Sequence, residues 1–192
     1  MALESPLLDE DLRPRLAVLL GGAVPLAVVS VASLPWPQAV ASIVLGLLMI
    51  AGAEVDARTF LLPDVVTLGA LACGILAAAA LDSFDPLWAA GAATARAAGT
   101  AIGLLIVRWC YARMRGREGL GLGDVKLAAA IGAWLSLEAI PVCFAVASFG
   151  ALILVMLAQV VGRRVQATTR LPFGAFLCPA LWLVYYASAL MN

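Results

Sequence analysis

The sequence predicts an all-α integral membrane protein, a polytopic bundle of about seven helices, and three observations carry that reading. Of 192 residues, 64% are hydrophobic and only 12% charged, whereas a soluble domain carries about 25% charged residues. Mean hydropathy is +1.04. The apolar residues fall into seven runs with no room between them for a soluble domain of useful size. Residues 1–192 therefore read as one membrane-embedded domain, with 1–14 as a short acidic cytoplasmic tail. That tail lacks the basic start and short apolar core of a signal peptide.

The runs span about 16–34, 39–55, 65–81, 87–112, 125–137, 142–161 and 173–190. Most approach the roughly 20 residues needed to cross about 30 Å of hydrocarbon. The third run is preceded by Pro63 and Asp64; proline stops the chain before it, and Asp64 is expected to cap the helix. The fourth carries Arg96, an ion costing about 2.5–3.5 kcal/mol at a bilayer centre. Arg96 is expected to snorkel outward toward Asp82 or Asp85. Gly99 and Gly103 in the same run, with the alanines of the third and fourth, suggest close packing through small residues. The fifth run has thirteen residues, which reach only about 20 Å at 1.5 Å per residue. It is either a short span or a partly spanning segment.

Charge decides between these. With all seven runs crossing and the amino terminus inside, the cytoplasmic side holds every basic residue except Arg96, and the outer loops hold only Asp82, Asp85 and Glu138. This matches the positive-inside rule. Removing the fifth crossing would send Arg163, Arg164 and Arg170 outside. The expected topology is seven helices, amino terminus in and carboxyl terminus out, with the fifth short.

Formal net charge is zero, so no bulk field argues for nucleic acid. The chain has no histidine, which excludes Ser-His-Asp and Cys-His catalysis and the usual histidine zinc sites. Its four cysteines are isolated in or beside apolar runs, with no CxxC pair. They read as small buried hydrophobes, giving neither a disulfide framework nor a metal site, and no cofactor is expected.

Two carboxylates remain to be explained. Asp124 follows the glycine-rich segment Gly116-Arg-Glu-Gly-Leu-Gly-Leu-Gly-Asp and heads the fifth run. An aspartate there either caps the helix or stands as a functional group, since an ionisable residue at a membrane is costly. In the second reading, Gly121 and Gly123 let chain and substrate approach closely. Lys126 lies about 200° round a helix from Asp124; it need not pair with it, and it can snorkel to the interface. Asp56, at the end of the second run, opposes its own helix dipole, so it needs a partner or a task. Glu54 is a possible neighbour for Arg58. The expected topology places Asp56 and Asp124 on one membrane face. Two close carboxylates share a proton, which is the requirement for a water-activating pair.

These segments resemble the type IV prepilin peptidases, GxGD-type aspartic proteases of the bacterial inner membrane. VDARTFLLPDVVTL is similar to the family's first catalytic segment, with Asp56 as its aspartate and Leu62-Pro63-Asp64 downstream. GREGLGLGDVKLAAAIGAWL is similar to the second, with Asp124, Gly121, Gly123, Lys126 and Glu118 in place. Pro172-Phe173-Gly174-Ala175-Phe176-Leu177 resembles the family's PFG element. The likeness covers about residues 15–190.

The resemblance implies cleavage of the leader from prepilin or pseudopilin precursors at the cytoplasmic face, by an Asp56/Asp124 dyad. The expected partners are that precursor and the lipid bilayer. The paired CxxC segment that precedes this region in bifunctional members is not found here, so no N-methyltransferase activity is expected. The loop 113–123 is expected to act as a flap. A second GxGD type, presenilin and signal-peptide peptidase, shares GLGD and the Pro179-Ala180-Leu181 element with this chain but lacks its LLPD and PFG contexts. A non-catalytic assembly or ion-coupled transport subunit is the reading from another class.

Overall fold

A computed structural model describes residues 14–116, 121–161 and 172–191. The tail 1–13, Glu118, Arg163, Arg164 and Arg170 lie outside the described residues. Seven helices follow one another: α1 Leu16–Ser33, α2 Trp36–Thr59, α3 Asp64–Leu81, α4 Pro86–Arg115, α5 Leu122–Trp134, α6 Ala139–Val160 and α7 Gly174–Met191. Among the described residues there is no strand. All helices but α5 are long and apolar enough to cross a membrane. The first part of the loop expected as a flap, 113–115, continues α4 as helix, while 117–120 lie outside the described residues.

The short helix is the hub. α5 packs along α3 and α4 and touches α7, while α2 lies between α1 and α7, and α6 lies against α7. Eight of the thirteen α5 residues are buried, and Leu127 and Ile131 are fully enclosed with Leu45, Leu177 and Leu181. The lipid-facing surfaces of the longer helices stay apolar, with Val24, Ile153 and Leu105 exposed. In a bilayer that exposure costs nothing, because lipid tails are as apolar as leucine.

Glycines fix two of the crossings with α5. A Cβ at Gly132 would lie 2.5 Å from the Arg96 carbonyl oxygen and 2.6 Å from Thr100 Oγ1, so α4 and α5 touch backbone to backbone there. A Cβ at Gly74 would lie 2.8 Å from the Trp134 ring, whose Nε1–H donates to the Ala70 carbonyl at 2.7 Å. Gly99 and Gly103 do not serve this purpose; nothing stands within 4 Å of a Cβ at either. The contact face of α4 runs instead through buried Ala93 and Ala97 with Arg96 and Thr100, the i, i+3, i+4, i+7 stripe of a helix; Gly99 falls off it, and Gly103 lies past the end of the contact.

Arg96 also departs from expectation. It does not reach Asp82 or Asp85; its Nε donates to the carbonyls of Leu135 at 3.0 Å and Gly132 at 3.3 Å. The last carbonyls of a helix lack intrahelical partners and carry partial negative charge, so α5's end offers what the guanidinium needs. Asp82 and Asp85 are occupied locally, accepting amides of Phe84, Asp85 and Trp88. On the other side of the bundle, Ser42 joins α1 and α7 to α2, bonding Ser30 at 2.9 Å and Trp182 at 3.1 Å.

The end of α2 makes a sharp reversal. Phe60, with φ 57°, is the one described non-glycine residue with positive φ, a conformation costing about 1–2 kcal/mol for a residue with a Cβ. Its amide closes the last turn on the Asp56 carbonyl at 2.9 Å. The chain then doubles back through Leu61-Leu62-Pro63 into α3, carrying Leu62 over the α2 end.

Candidate active site

Asp56 occupies the last turn of α2 and is 5% exposed. The partner its position demands comes from α7: Asp56 Oδ2 accepts the Ala175 N–H at 2.7 Å, with the Gly174 amide close behind. These are among the first amides of α7, which have no partner within their own helix. They also form the positive end of its dipole, which offsets the unfavourable end of α2. Gly174 has no room for a side chain. A Cβ there would stand 2.9 Å from the Asp56 carboxyl carbon and 2.8 Å from Leu62 Cδ1.

Asp124 is the third residue of α5, half-buried, and its Oδ2 accepts the Gly121 N–H at 3.3 Å. It therefore does work as a cap, reaching back from inside the helix, with Gly121 rather than Asp124 at the capping position. The bond spends only one of its oxygens, so the capping role leaves the other free for a second interaction. Of the two motif glycines, Gly123 is the confined one. A Cβ there would lie 3.1 Å from Leu62 Cβ, whereas one at Gly121 would meet only ordinary contact, 3.4 Å from Asp124 itself.

Leu62 thus contacts the glycine before Asp124 and the glycine that faces Asp56. Both carboxyls therefore lie beside one side chain, and Cys178, which stands 3.0 Å from where a Cβ at Gly52 would be, is fully buried. Of the other cysteines, Cys143 is buried too, but Cys110 is exposed on α4, contrary to the buried reading. Among the described residues no group of three or more His, Cys, Asp or Glu side chains gathers.

The flanking charges pair off. Asp64 does not cap α3; Pro63 holds the capping position and no side-chain cap bond forms. Asp64 instead meets Lys126, Nζ to Oδ1 2.5 Å, tying the entry of α3 to the second turn of α5. Lys126 therefore has a partner, though not Asp124. Glu54 receives Arg58 at 2.7 Å, as its spacing suggested, and also the Arg15 amide at 3.3 Å, which anchors the start of α1.

Sequence reading missed Leu62, Gly174 and Ala175 as parts of the site, although all three lie in quoted motifs. The available signal was a glycine at a helix start, the mark of a close approach.

A model of the type IV leader peptidase family matches residues 43–156, a stretch that includes both carboxylates. The chain belongs to that family. It is 40% identical over 130 residues to the prepilin leader peptidase/N-methyltransferase of Dickeya chrysanthemi, covering 68% of this chain and 44% of that protein. Identity to the protein of the same name from Xanthomonas campestris pv. campestris is 34% over 151 residues, 78% of this chain and 50% of that one. The type 4 prepilin-like proteins leader peptide-processing enzyme of Escherichia coli O78:H11 is 36% identical over 146 residues, 74% and 51% of the two chains. The chain spans about half the length of these leader peptidase relatives. No solved structure matches it.

Proposed function

We propose that this protein is a membrane aspartic endopeptidase that removes the leader from type IV prepilin-like precursors, pilins or pseudopilins, at the cytoplasmic face of a bacterial inner membrane. The observation that supports the reading is that Leu62 packs against both Gly123, beside Asp124, and Gly174, beside Asp56. Each carboxyl also accepts an amide at a helix start, an arrangement suited to a catalytic pair. The family membership and the names of the relatives support the substrate class.

The pair holds one proton between its two carboxyls, since a second charge in so small a space is disfavoured. The ionised member takes a proton from water, and the resulting hydroxyl attacks the scissile carbonyl carbon. The protonated member donates to that carbonyl's oxygen. Collapse of the tetrahedral intermediate breaks the C–N bond, and the proton first taken from water passes to the leaving nitrogen. The leader departs with a new carboxyl group and the mature chain with a new amino group. The amides of Gly174, Ala175 and Gly121 fix the two carboxyls in advance, so little reorganisation accompanies charge movement. The excess of basic residues on this side of the chain supports a cytoplasmic location for the pair and for the amino terminus.

The test is co-expression of a prepilin with Asp56→Asn and with Asp124→Asn, read by mass spectrometry of the product. Each variant is expected to lose at least about a hundredfold in processing rate. Full processing by both would end the proposal. The same spectrum reports whether the new amino terminus carries a methyl group, the second activity in the relatives' names.

A further inference from the structure

Beside Asp56 an apolar groove of about 600 Å³ opens between α1, α2 and α7. Its walls include Val18, Gly22 and Val29 of α1, Ala53 of α2, and Ala175 and Pro179 of α7. From Val18 to Val29 it follows α1 for about 16 Å, or three helical turns. We propose that this groove receives the apolar first helix of the precursor, with that helix's amino end beside Glu54. The proposal rests on the peptidase reading of Asp56 and Asp124.

Continuity with the site comes first. Ala175 forms part of the groove wall while its amide binds Asp56, and Glu54 and Ala57, which bracket Asp56 on α2, also line it. A chain lying in the groove therefore ends beside the helical turn that carries Asp56. Two other cavities do not. One is lined by Ser136, Glu138 and Ser188, the other by Gln38, Trp134 and Tyr185. These residues sit at the far ends of α5 and α7 and the near end of α2, opposite the carboxylates.

Shape comes second. A Cβ at Gly22 would stand 2.8 Å from Ile50, and one at Gly46 would strike Leu26, so glycines draw α1 and α2 together to close the groove floor. Ala53, Ala57 and Ala175 leave its inner half shallow-walled. Small residues are what allow helices to approach closely in lipid, where packing rather than water exclusion holds them together.

Polarity comes third, and it decides between a helix and a lipid chain. The groove is apolar along its length, and its one ionisable lining residue, Glu54, stands at the inner end paired with Arg58. Pro179 lacks the amide that would bond the Ala175 carbonyl, leaving that oxygen without its α-helical donor. The start of an incoming helix brings the complement, up to four unpartnered N–H groups and a partial positive charge. Cleavage beside it then creates a new amino group in the same place. An acyl chain has no donor to offer that oxygen.

Photo-crosslinking tests the placement without relying on turnover. A benzoylphenylalanine at Val18 or Val29, in the Asp56→Asn protein co-expressed with a prepilin, is expected to capture the precursor's apolar helix. The Val29 adduct should lie about eleven residues beyond the Val18 adduct, matching 1.5 Å per residue. The same probe at Ile153, on the lipid-facing side of α6 and 57% exposed, should not capture it. Adducts to lipid alone, or the reverse register, overturn the proposal.

Kinetics supply the second arm. Ala53→Phe, which fills the groove, should raise KM for the full precursor relative to a short peptide ending just past the cleavage site, by about tenfold in the ratio. Equal changes for both substrates count against the groove. Wild-type protein that cleaves neither substrate, while still giving ordered crosslinks, removes the peptidase reading and leaves the docking site standing.

Discussion

Asp56 sits at the unfavourable end of its own helix and takes its hydrogen bond from an amide 119 residues further along, whereas Asp124 sits at the favourable end of α5 and is served by Gly121, three residues back. One carboxyl is placed by tertiary structure and the other by local structure. Their burial follows the same division. Asp56 is enclosed by α7 and Leu62, while Asp124 stays half-open at the α5 entry. One carboxyl is therefore enclosed and the other more accessible, and the glycines beside them differ in whether they tolerate a side chain.

The largest contrast is expected at the glycines. Gly174→Ala places a Cβ 2.9 Å from the Asp56 carboxyl carbon, so Asp56 or α7 must move. Prepilin processing should fall by at least about a hundredfold, because small misplacements near the chemistry are costly in rate. Gly121→Ala meets ordinary contact only and should keep most activity. If the two variants lose activity equally, the distinction between the carboxyls is wrong.

Next is the far end of α5. Arg96→Met leaves the Gly132 and Leu135 carbonyls without a side-chain donor, a loss of about 1–3 kcal/mol for a bond to a charged group. Thermal unfolding in detergent should show it as a lowered midpoint. An unchanged midpoint would mean that the anchor contributes nothing. Lys126→Met should do least, at about 1 kcal/mol or below, since the Lys126–Asp64 pair is solvent-exposed and salt-screened. Its effect on unfolding should fade as salt is added; a salt-independent loss would point to packing instead.

The seven helices were legible because a membrane-crossing segment announces itself by length and hydropathy, and the observed bounds fall within a few residues of the expected runs. The short fifth helix followed from the length of its apolar run. Asp124 was legible too, since its surroundings are local. What sequence did not show was which helix faces meet. Membrane helices are apolar on every side, so no polar stripe marks the outside, and Gly99 and Gly103 resembled packing residues as much as Gly132 and Gly74 did. Arg96 was read against its nearest carboxylates because its true acceptors, backbone carbonyls of another helix, have no signature in residue type. The Asp64–Lys126 pair, and the amide that Asp56 binds, were hidden for the same reason: each joins elements distant in sequence.

The bond from Asp56 to Ala175 also bears on modularity. The stretch that matches the family, residues 43–156, contains both acids yet ends before α7 begins. Grafted elsewhere or expressed alone, that stretch would carry both carboxyls and leave one without its anchor. The portion of this protein that the family model matches is thus smaller than the portion that holds both carboxyls together with their hydrogen-bond partners.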